Sequence, residues 1–336
     1  MKRTIAIVAG GVSSEYEVSL SSARGIYSFF DKEKYNVYVT KIINRNWTVL
    51  LNFNEELGAA NPAIEEVPID KNDFSFTVNN RKETFDYAYI TIHGEPGEDG
   101  CLQGYFKMMN IPHSTCNVLA ASLTYNKHFC SQYLKGFGVN IAESIILKQK
   151  KESSFILDEV TKKVGFPCFV KPNLGGSSFG ISKVMEEQDL IPAIYKAFNE
   201  DREVIIEAFL DGMEVTCGCY ANQNELIALP ITEVVTHNEF FDYEAKYKGA
   251  VDEITPARIS EELTHRIQEL TKKIYGLLNC DGIIRIDYIV TESDRVNLLE
   301  VNTTPGMTPT SFIPQQVAVA GLSMRQILTD LVESAF

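Results

Sequence analysis

The stretch Gly282–Asn302, GIIRIDYIVTESDRVNLLEVN, carries two β patterns, Ile283 to Val290 and Val296 to Asn302, around a polar turn from Thr291 to Arg295. Side chains alternate faces along a strand, so Arg285 and Asp287 share one face of the first and Glu300 and Asn302 share one face of the second. Leu299 and Val301 are then expected on the other face. If the strands pair across the turn, Asp287, Glu300 and Asn302 present hard oxygen atoms together, with Arg285 beside them. Such a set suits Mg2+, a small ion usually held by one or two carboxylates plus substrate phosphates. The competing reading is the solvated polar face of an ordinary hairpin. The TTPGMT that follows, at 303–308, reads as a turn whose Gly306 can aim a backbone N–H at a reacting oxygen.

Upstream, KPNLGGSSFG at 171–180 follows a strand pattern at Cys168 to Lys171 and precedes another. Its glycines let a hairpin turn approach a ligand with bare backbone N–H groups, and phosphate is the obvious candidate. A glycine-rich hairpin without a ligand is the alternative. The chain contains no G-x-x-x-x-G-K-[ST], so any nucleotide is held by something other than a Walker loop.

The N-terminal segment alternates strand patterns (Thr4 to Ala9, Tyr35 to Ile42, Tyr87 to Ile92) with helical ones (Ser21 to Phe30, Leu102 to Met109), the rhythm of a parallel sheet flanked by helices. Pro112 and a small polar cluster mark a boundary near residue 116, and a helix is expected from Tyr125 to Lys135. A smaller α+β unit follows, with helices at 153–164 and 190–198 and strands at 168–171 and 204–207. The remainder carries β patterns, a helix at 261–278, the strand pair already described and a closing helix at 323–333.

Composition narrows the function class. With 31 basic and 45 acidic residues the net charge is −14, which disfavours nucleic acid and anionic membranes as partners, since both are bound by clustered Lys and Arg. No apolar run reaches membrane-spanning length, and MKRTIAIVAGG meets a Gly pair before a signal-peptide core is complete, so a cytoplasmic location is expected. Seven cysteines form no C-x-x-C pair and are expected as free thiols, with Cys217 and Cys219 on one face of a strand. Five scattered histidines leave oxygen ligands as the basis for any metal site.

Other residues are ambiguous taken singly. Glu15 follows the first strand and Gly10-Gly11, where open α/β sheets bind ligands, yet a glutamate near a helix start is also a favourable dipole partner. His93 opens HGEPGEDG after another strand, and Lys127 and Lys171 could be phosphate-bound or solvated.

Taken in order, AGGVSSEYEVSL (9–20), HGEPGEDGCLQG (93–104), VKPNLGGSSFG (170–180), DYEAKY (242–247), RID (285–287) and LLEVNTTPGMT (298–308) resemble the D-alanine:D-alanine ligases of the ATP-grasp superfamily. The resemblance runs from residue 4 to 312. It implies three α/β or α+β domains: 1–116 with an open parallel sheet, 117–207 as the central ATP-grasp domain and 208–336 as the C-terminal one, with ATP gripped between the last two. It also implies the reaction: ATP phosphorylates one D-alanine, and the amine of a second attacks the acyl phosphate.

By the same resemblance Asp287, Glu300 and Asn302 are ligands of two Mg2+ ions, with Mn2+ as a substitute and a monovalent cation as an added activator. Arg285 and the Gly306 N–H stabilise the oxyanion. Glu15 holds the first D-alanine's ammonium and is linked through Ser177 to Tyr247 of a mobile loop, while His93 lines that site. Ser311 and the Phe312 backbone receive the second substrate's carboxylate. Lys127, Lys171, Lys246 and Ser178 match phosphate-contacting positions, Glu214 the ribose contact, and Glu207, Ala208, Phe209 and Leu210 the segment passing the adenine. Two positions depart from the family pattern. Ala208 stands where lysine is common, leaving only backbone recognition there, and Gly175 replaces a common acidic residue. A homodimer is also implied.

Two rivals stay open at this level. One is a ligase taking D-lactate or D-serine second, which Tyr247 disfavours because the ester-forming relatives usually carry another residue there. The other is a non-catalytic protein that binds ATP or an amino acid.

Overall fold

The computed structural model describes residues 2–54, 65–148, 153–175, 180–222, 225–236 and 251–336. The first sheet contains β1 (Arg3–Gly10), β2 (Tyr35–Ile43), β3 (Asn46–Leu50), β4 (Glu66–Asp70), β5 (Ser75–Val78), β6 (Arg81–Thr84) and β7 (Tyr87–Ile90), in the spatial order β6-β5-β4-β3-β2-β1-β7. The expected parallel pairing holds for β1 with β2 and with β7. An antiparallel meander, β3 to β6, widens this parallel core.

Two helices cover the faces, α1 (Tyr16–Phe29) and α2 (Cys101–Met109). Strand alternation sorts β1 between them: Ile5, Ile7 and Ala9 join the core with Leu20, Ala23 and Ile26 of α1, whereas Ala6 and Val8 join the core with Leu102 and Phe106 of α2.

The boundary region is helical, with α3 (Val118–Tyr125) and α4 (Lys127–Lys135) in place of one helix from Tyr125. Asn126 makes the break. Its backbone is extended, and its side chain accepts the Phe129 N–H, which caps α4 and fixes Lys127 as that helix's first residue.

A second sheet, all antiparallel, has the order β10-β9-β11-β8, from β8 (Ser144–Leu147), β9 (Cys168–Pro172), β10 (Ser182–Val184) and β11 (Val204–Ala208). Helices α5 (Ser153–Lys163) and α6 (Leu190–Ala197) pack on one face, through Ile156 and Val160 and through Leu190 and Ile194. Its other face is left for the cavity.

The third sheet runs β15-β14-β12-β16-β17, with β13 also on β12, from β12 (Met213–Ala221), β13 (Leu226–Ala228), β14 (Thr232–Thr236), β15 (Val251–Ile254), β16 (Ile283–Val290) and β17 (Val296–Asn302). Helix α7 (Glu261–Leu277), capped by the Ser260 hydroxyl on the Leu263 N–H, buries Leu263, Ile267 and Ile274 against one face. Cys217 and Cys219 share that face, and all seven cysteines are free. Val215 points the same way, so Glu214 and Thr216 point to the other side.

The chain closes with α8 (Phe312–Val319) and α9 (Met324–Glu333). These do not pack on the third sheet alone. Met324, Ile327, Leu328, Leu331 and Val332 are buried in the core that Ile5 and Ile7 of β1 share with α1, each gaining about 2 kcal/mol from the burial. Arg3 donates to both carboxylate oxygens of Glu333, at 3.0 and 2.9 Å, and the Tyr35 hydroxyl donates to the same carboxylate at 2.6 Å.

Candidate active site

A cavity of about 530 Å3 lies between the open faces of the second and third sheets. On its floor β16 and β17 pair with Arg285 opposite Asn302 and Asp287 opposite Glu300, as period-two alternation required. The register slips between Asp287 and Tyr288, and this bulge overturns one expectation. Leu299 does not join the core with Val301. It lines the cavity beside Glu300, and Leu298, which also reaches the cavity wall, takes the core position, because the extra residue reverses the alternation on one side of the slip.

Asp287 is held from three sides. Its Oδ1 accepts from Arg285 Nε at 2.9 Å and from the Thr216 hydroxyl at 2.6 Å, and its Oδ2 accepts from Arg285 Nη2 at 2.8 Å and from Asn302 Nδ2 at 3.0 Å. Burial opposes the Arg285 charge most, but the carboxylates of Asp287, Glu300 and Glu214 outweigh it and raise its pKa, so the guanidinium stays charged. It also lies 5.2 Å from the Phe312 ring centroid. Thr216 went unread in the sequence although a signal existed: Glu214 and Thr216 alternate with Val215 and Cys217, which puts Thr216 on the cavity face.

The donor chemistry here fits a hard divalent cation. Two carboxylates and one amide lie on adjacent strands, and because Asn302 turns its Nδ2 toward Asp287, its Oδ1 is oriented away from that hydrogen bond. Among the described residues no group of three or more His, Cys, Asp or Glu could hold a metal, and here an amide joins two carboxylates.

Cations line the opposite wall. Lys127 Nζ lies 3.8 Å from Glu300 Oε2 and donates to the Gly175 carbonyl, which joins α4 to the edge of the glycine-rich turn. Lys171 on β9 pairs with Glu207 on β11 at 2.5 Å, their side chains only 8% and 12% exposed. Glu207, Ala208, Phe209 and Leu210 run along the cavity rim with Glu214 nearby. Phe209 stacks obliquely 6.0 Å from Phe169, with Lys183 Nζ 4.3 Å from its centroid, an apolar slot fit for a flat ring. Ser177, Ser178, Lys246 and Tyr247 lie outside the described residues.

The N-terminal unit reaches the same floor. His93 is buried after β7, its Nε2 3.4 Å from the Ser22 hydroxyl oxygen, which accepts the Met307 N–H at 3.3 Å. Burial pushes the imidazole below its ordinary range, Glu15 partly opposes this and Arg285 adds to it, so His93 is neutral at neutral pH. Glu15 stands at the N-cap of α1, its backbone carbonyl accepting the Ser19 N–H at 3.0 Å. The close fit of α1 to the 303–308 turn depends on Gly25, where a Cβ would stand 2.2 Å from the Met307 carbonyl oxygen. Beyond Gly306, the Ser311 hydroxyl oxygen accepts the Thr308 N–H at 3.1 Å.

Glu98, in the same loop as His93, also went unread. It is part-buried and accepts the Gly94 N–H at 2.7 Å. A small recess joins it to Lys127, Glu300 and Asn302. Burial raises its pKa to about 8, with Glu15 and Glu300 adding and the Gly94 N–H and Lys127 opposing.

A nucleotide-sized cavity gripped between two antiparallel sheets, with lysines on one wall and acids on the floor, defines an ATP-grasp fold. Residues 4–116 match the family model described as D-ala D-ala ligase N-terminus, and residues 133–333 match D-ala D-ala ligase C-terminus. The chain is 60% identical over 336 residues to the D-alanine–D-alanine ligase of Bacteroides fragilis (strain YCH46), covering 100% of both, and 50% identical over 331 residues to that of Porphyromonas gingivalis (strain W83), covering 98% and 97%. Among solved structures it is similar to the VanG D-Ala:D-Ser ligase of Enterococcus faecalis (TM-score 0.86, 32% identity, 100% of both chains). It is also similar to the Bacillus anthracis D-alanine–D-alanine ligase complexed with ATP (TM-score 0.76, 27% identity, 99% and 97%). The chain belongs to the D-Ala D-Ala ligase family.

Proposed function

We propose that this chain joins two D-alanine molecules into D-alanyl-D-alanine at the expense of ATP, supplying peptidoglycan synthesis in the cytoplasm. The observation that carries this reading is the floor of the cavity, where Arg285, Asp287, Glu300 and Asn302 meet across one strand pair. A binder of ATP or an amino acid has no need of an oxyanion donor beside a metal-ligand set. Among the described residues no helix is long and apolar enough to cross a membrane.

ATP occupies the cavity with its adenine along Glu207–Leu210, its ribose at Glu214 and its phosphates toward Lys127, Lys171, Lys246 and Ser178. Asp287, Glu300 and Asn302 would hold two Mg2+ ions, or Mn2+ in their place, which when bound neutralise crowded phosphate oxygens. A carboxylate is a poor electrophile, so the first D-alanine, its ammonium at Glu15 and its site lined by His93, takes the γ-phosphoryl group on a carboxylate oxygen as the β–γ phosphoanhydride bond breaks and ADP departs. In this reading Glu15 would be linked through Ser177 to Tyr247, whose loop would exclude water from the acyl phosphate.

The second D-alanine, its carboxylate at Ser311 and the Phe312 backbone, attacks the acyl carbon through its neutral amine. Phosphate leaves with the carbon–oxygen bond, and the nitrogen loses a proton. A guanidinium has five N–H donors, so the two that Arg285 gives to Asp287 leave others for the tetrahedral oxyanion, together with the Gly306 N–H. The three-part division at residues 116 and 207, a homodimer and activation by a monovalent cation complete the proposal.

The test is phosphate release from ATP with D-alanine, L-alanine, D-alanine plus D-lactate, or D-alanine plus D-serine, each product weighed by mass spectrometry. Release that needs D-alanine and Mg2+ and yields D-alanyl-D-alanine is expected. A depsipeptide or a D-serine product at competitive yield moves the specificity, and no release with any pair removes the ligase reading.

A further inference from the structure

The central strand β12 has a gap in its hydrogen-bond ladder. β14 pairs with it at Glu214, Val215 and Thr216, and β13 pairs with it at Cys219, Tyr220 and Ala221. Between these, Gly218 faces the same edge as Thr216; its carbonyl accepts the Leu229 N–H at 2.8 Å, but its N–H takes no backbone partner there among the described residues. The Gln316 side chain fills the gap from α8. Its Oε1 accepts the Gly218 N–H at 2.9 Å, and its Nε2 donates to the Thr216 carbonyl at 3.1 Å and to the Thr232 hydroxyl at 3.0 Å. The amide thus acts as one peptide unit of a missing strand.

Gln316 is fully buried, and Gly218 makes the approach feasible, since a Cβ there would stand 2.7 Å from Gln316 Oε1 and 2.5 Å from Ile313 Cδ1. This contact lies between two parts of the site. Thr216, held at its carbonyl by Gln316, holds Asp287 Oδ1 with its hydroxyl. Gln316 itself lies one helical turn after Phe312, the start of α8, over which Arg285 sits.

We propose that Gln316 is a positioning residue that registers the start of α8, and with it the pocket for the second substrate's carboxylate, against the Thr216–Asp287–Arg285 row. The inference rests on the ligase reading for its catalytic consequence and on the ladder gap for its structural one. Helix α8 buries only Ile313, Pro314, Gln316 and Val317, and apolar contacts are non-directional, so this amide supplies directional bonds that resist sliding along β12, beside the exposed donation from Gln315 Nε2 to Glu253 Oε2 of β15 at 2.6 Å.

Gln316→Met keeps the length and removes the amide. In this variant the KM for the acceptor D-alanine should rise at least tenfold, while the KM for ATP and the positional exchange of oxygen in ATP driven by the first D-alanine alone stay within twofold. Gln316→Glu keeps the acceptor for Gly218 and should restore less than half of the loss. Amide hydrogen exchange on the same proteins is the readout independent of activity: segments 311–317 and 216–219 should exchange faster in Gln316→Met, with the first sheet unchanged. A proportional loss of both half-reactions, or unchanged acceptor KM, overturns the catalytic role. Unchanged local exchange overturns the positioning itself. If the parent chain shows no D-alanine-dependent turnover, the ligase reading fails while the exchange comparison still decides the registering role.

Discussion

Asp287 and Glu300 face each other across the pairing of β16 and β17, one residue before the register slips. Because the two backbones are bonded at this point, the distance between the carboxyl-bearing positions is set by the sheet and not by flexible loops. Glu300→Gln preserves shape and removes one charge. At limiting Mg2+ its turnover should fall roughly 100-fold or more, the scale expected when a metal ligand worth several kcal/mol is weakened. The urea unfolding midpoint should barely move. A Mg2+ titration of phosphate release checks this, and parent-like activity at limiting Mg2+ would take Glu300 out of the metal site.

Arg285→Lys keeps the positive charge but cannot repeat the two-pronged bond to Asp287, since an ammonium is a point donor without the guanidinium fork. Turnover should drop by about 100-fold to 1,000-fold, the range for losing one oxyanion donor. The KM for ATP should change little. Steady-state kinetics with saturating D-alanine separates the two constants, and a rise in the ATP KM as large as the fall in turnover contradicts the assignment.

Lys171 and Glu207 form a buried pair, so removing one partner strands the other's charge. Lys171→Met should destabilise the fold by about 3 kcal/mol and raise the KM for ATP. Combining it with Glu207→Gln removes both charges, which should return most of the stability without returning the ATP affinity. Urea unfolding beside ATP kinetics on all three variants tests the cycle. Recovery of both properties in the double variant would mean that the lysine acts on ATP only by holding the fold.

Glu98 gives a pH signature. Its folded pKa lies near 8, above the ordinary glutamate value of 4.5, so the folded state retains a proton that the unfolded state has released. Stability from this group is therefore full below about pH 4.5 and declines as pH rises toward 8, by at most ~1.4 kcal/mol per pH unit. Glu98→Gln keeps an acceptor for the Gly94 N–H and cannot ionise. Its urea midpoint should match the parent's near pH 5 and exceed it at pH 8.5, and parallel pH profiles for the two proteins would refute the raised pKa.

Much of the site could be read from alternation alone. Arg285, Asp287, Glu300 and Asn302 meet because period two is a local property of extended chain, whatever the sheet does elsewhere. The bulge at Asp287/Tyr288 has no such local cause, and Leu299 was misplaced for that reason. The β3–β6 meander escaped notice because its strands are short and largely polar, with Pro68 inside EVPID weakening the strand pattern. The split at Asn126 hinged on one side-chain cap, and the helical run before it looked like a boundary loop. The Gln316 contact depends on a ladder gap in a strand about a hundred positions away, which no local pattern encodes.

The bond between Arg3 and Glu333 joins positions 330 apart in the chain. Seen in the order of synthesis, the strand made among the first is sealed in part by the helix made among the last. The early unit therefore leaves the ribosome with apolar surface of β1 and α1 still uncovered, and it keeps that surface exposed until α9 is released. The core on the α2 side of β1 is complete within residues 6–111, whereas the core on the α1 side is finished only when α9 joins it from the far end of the chain.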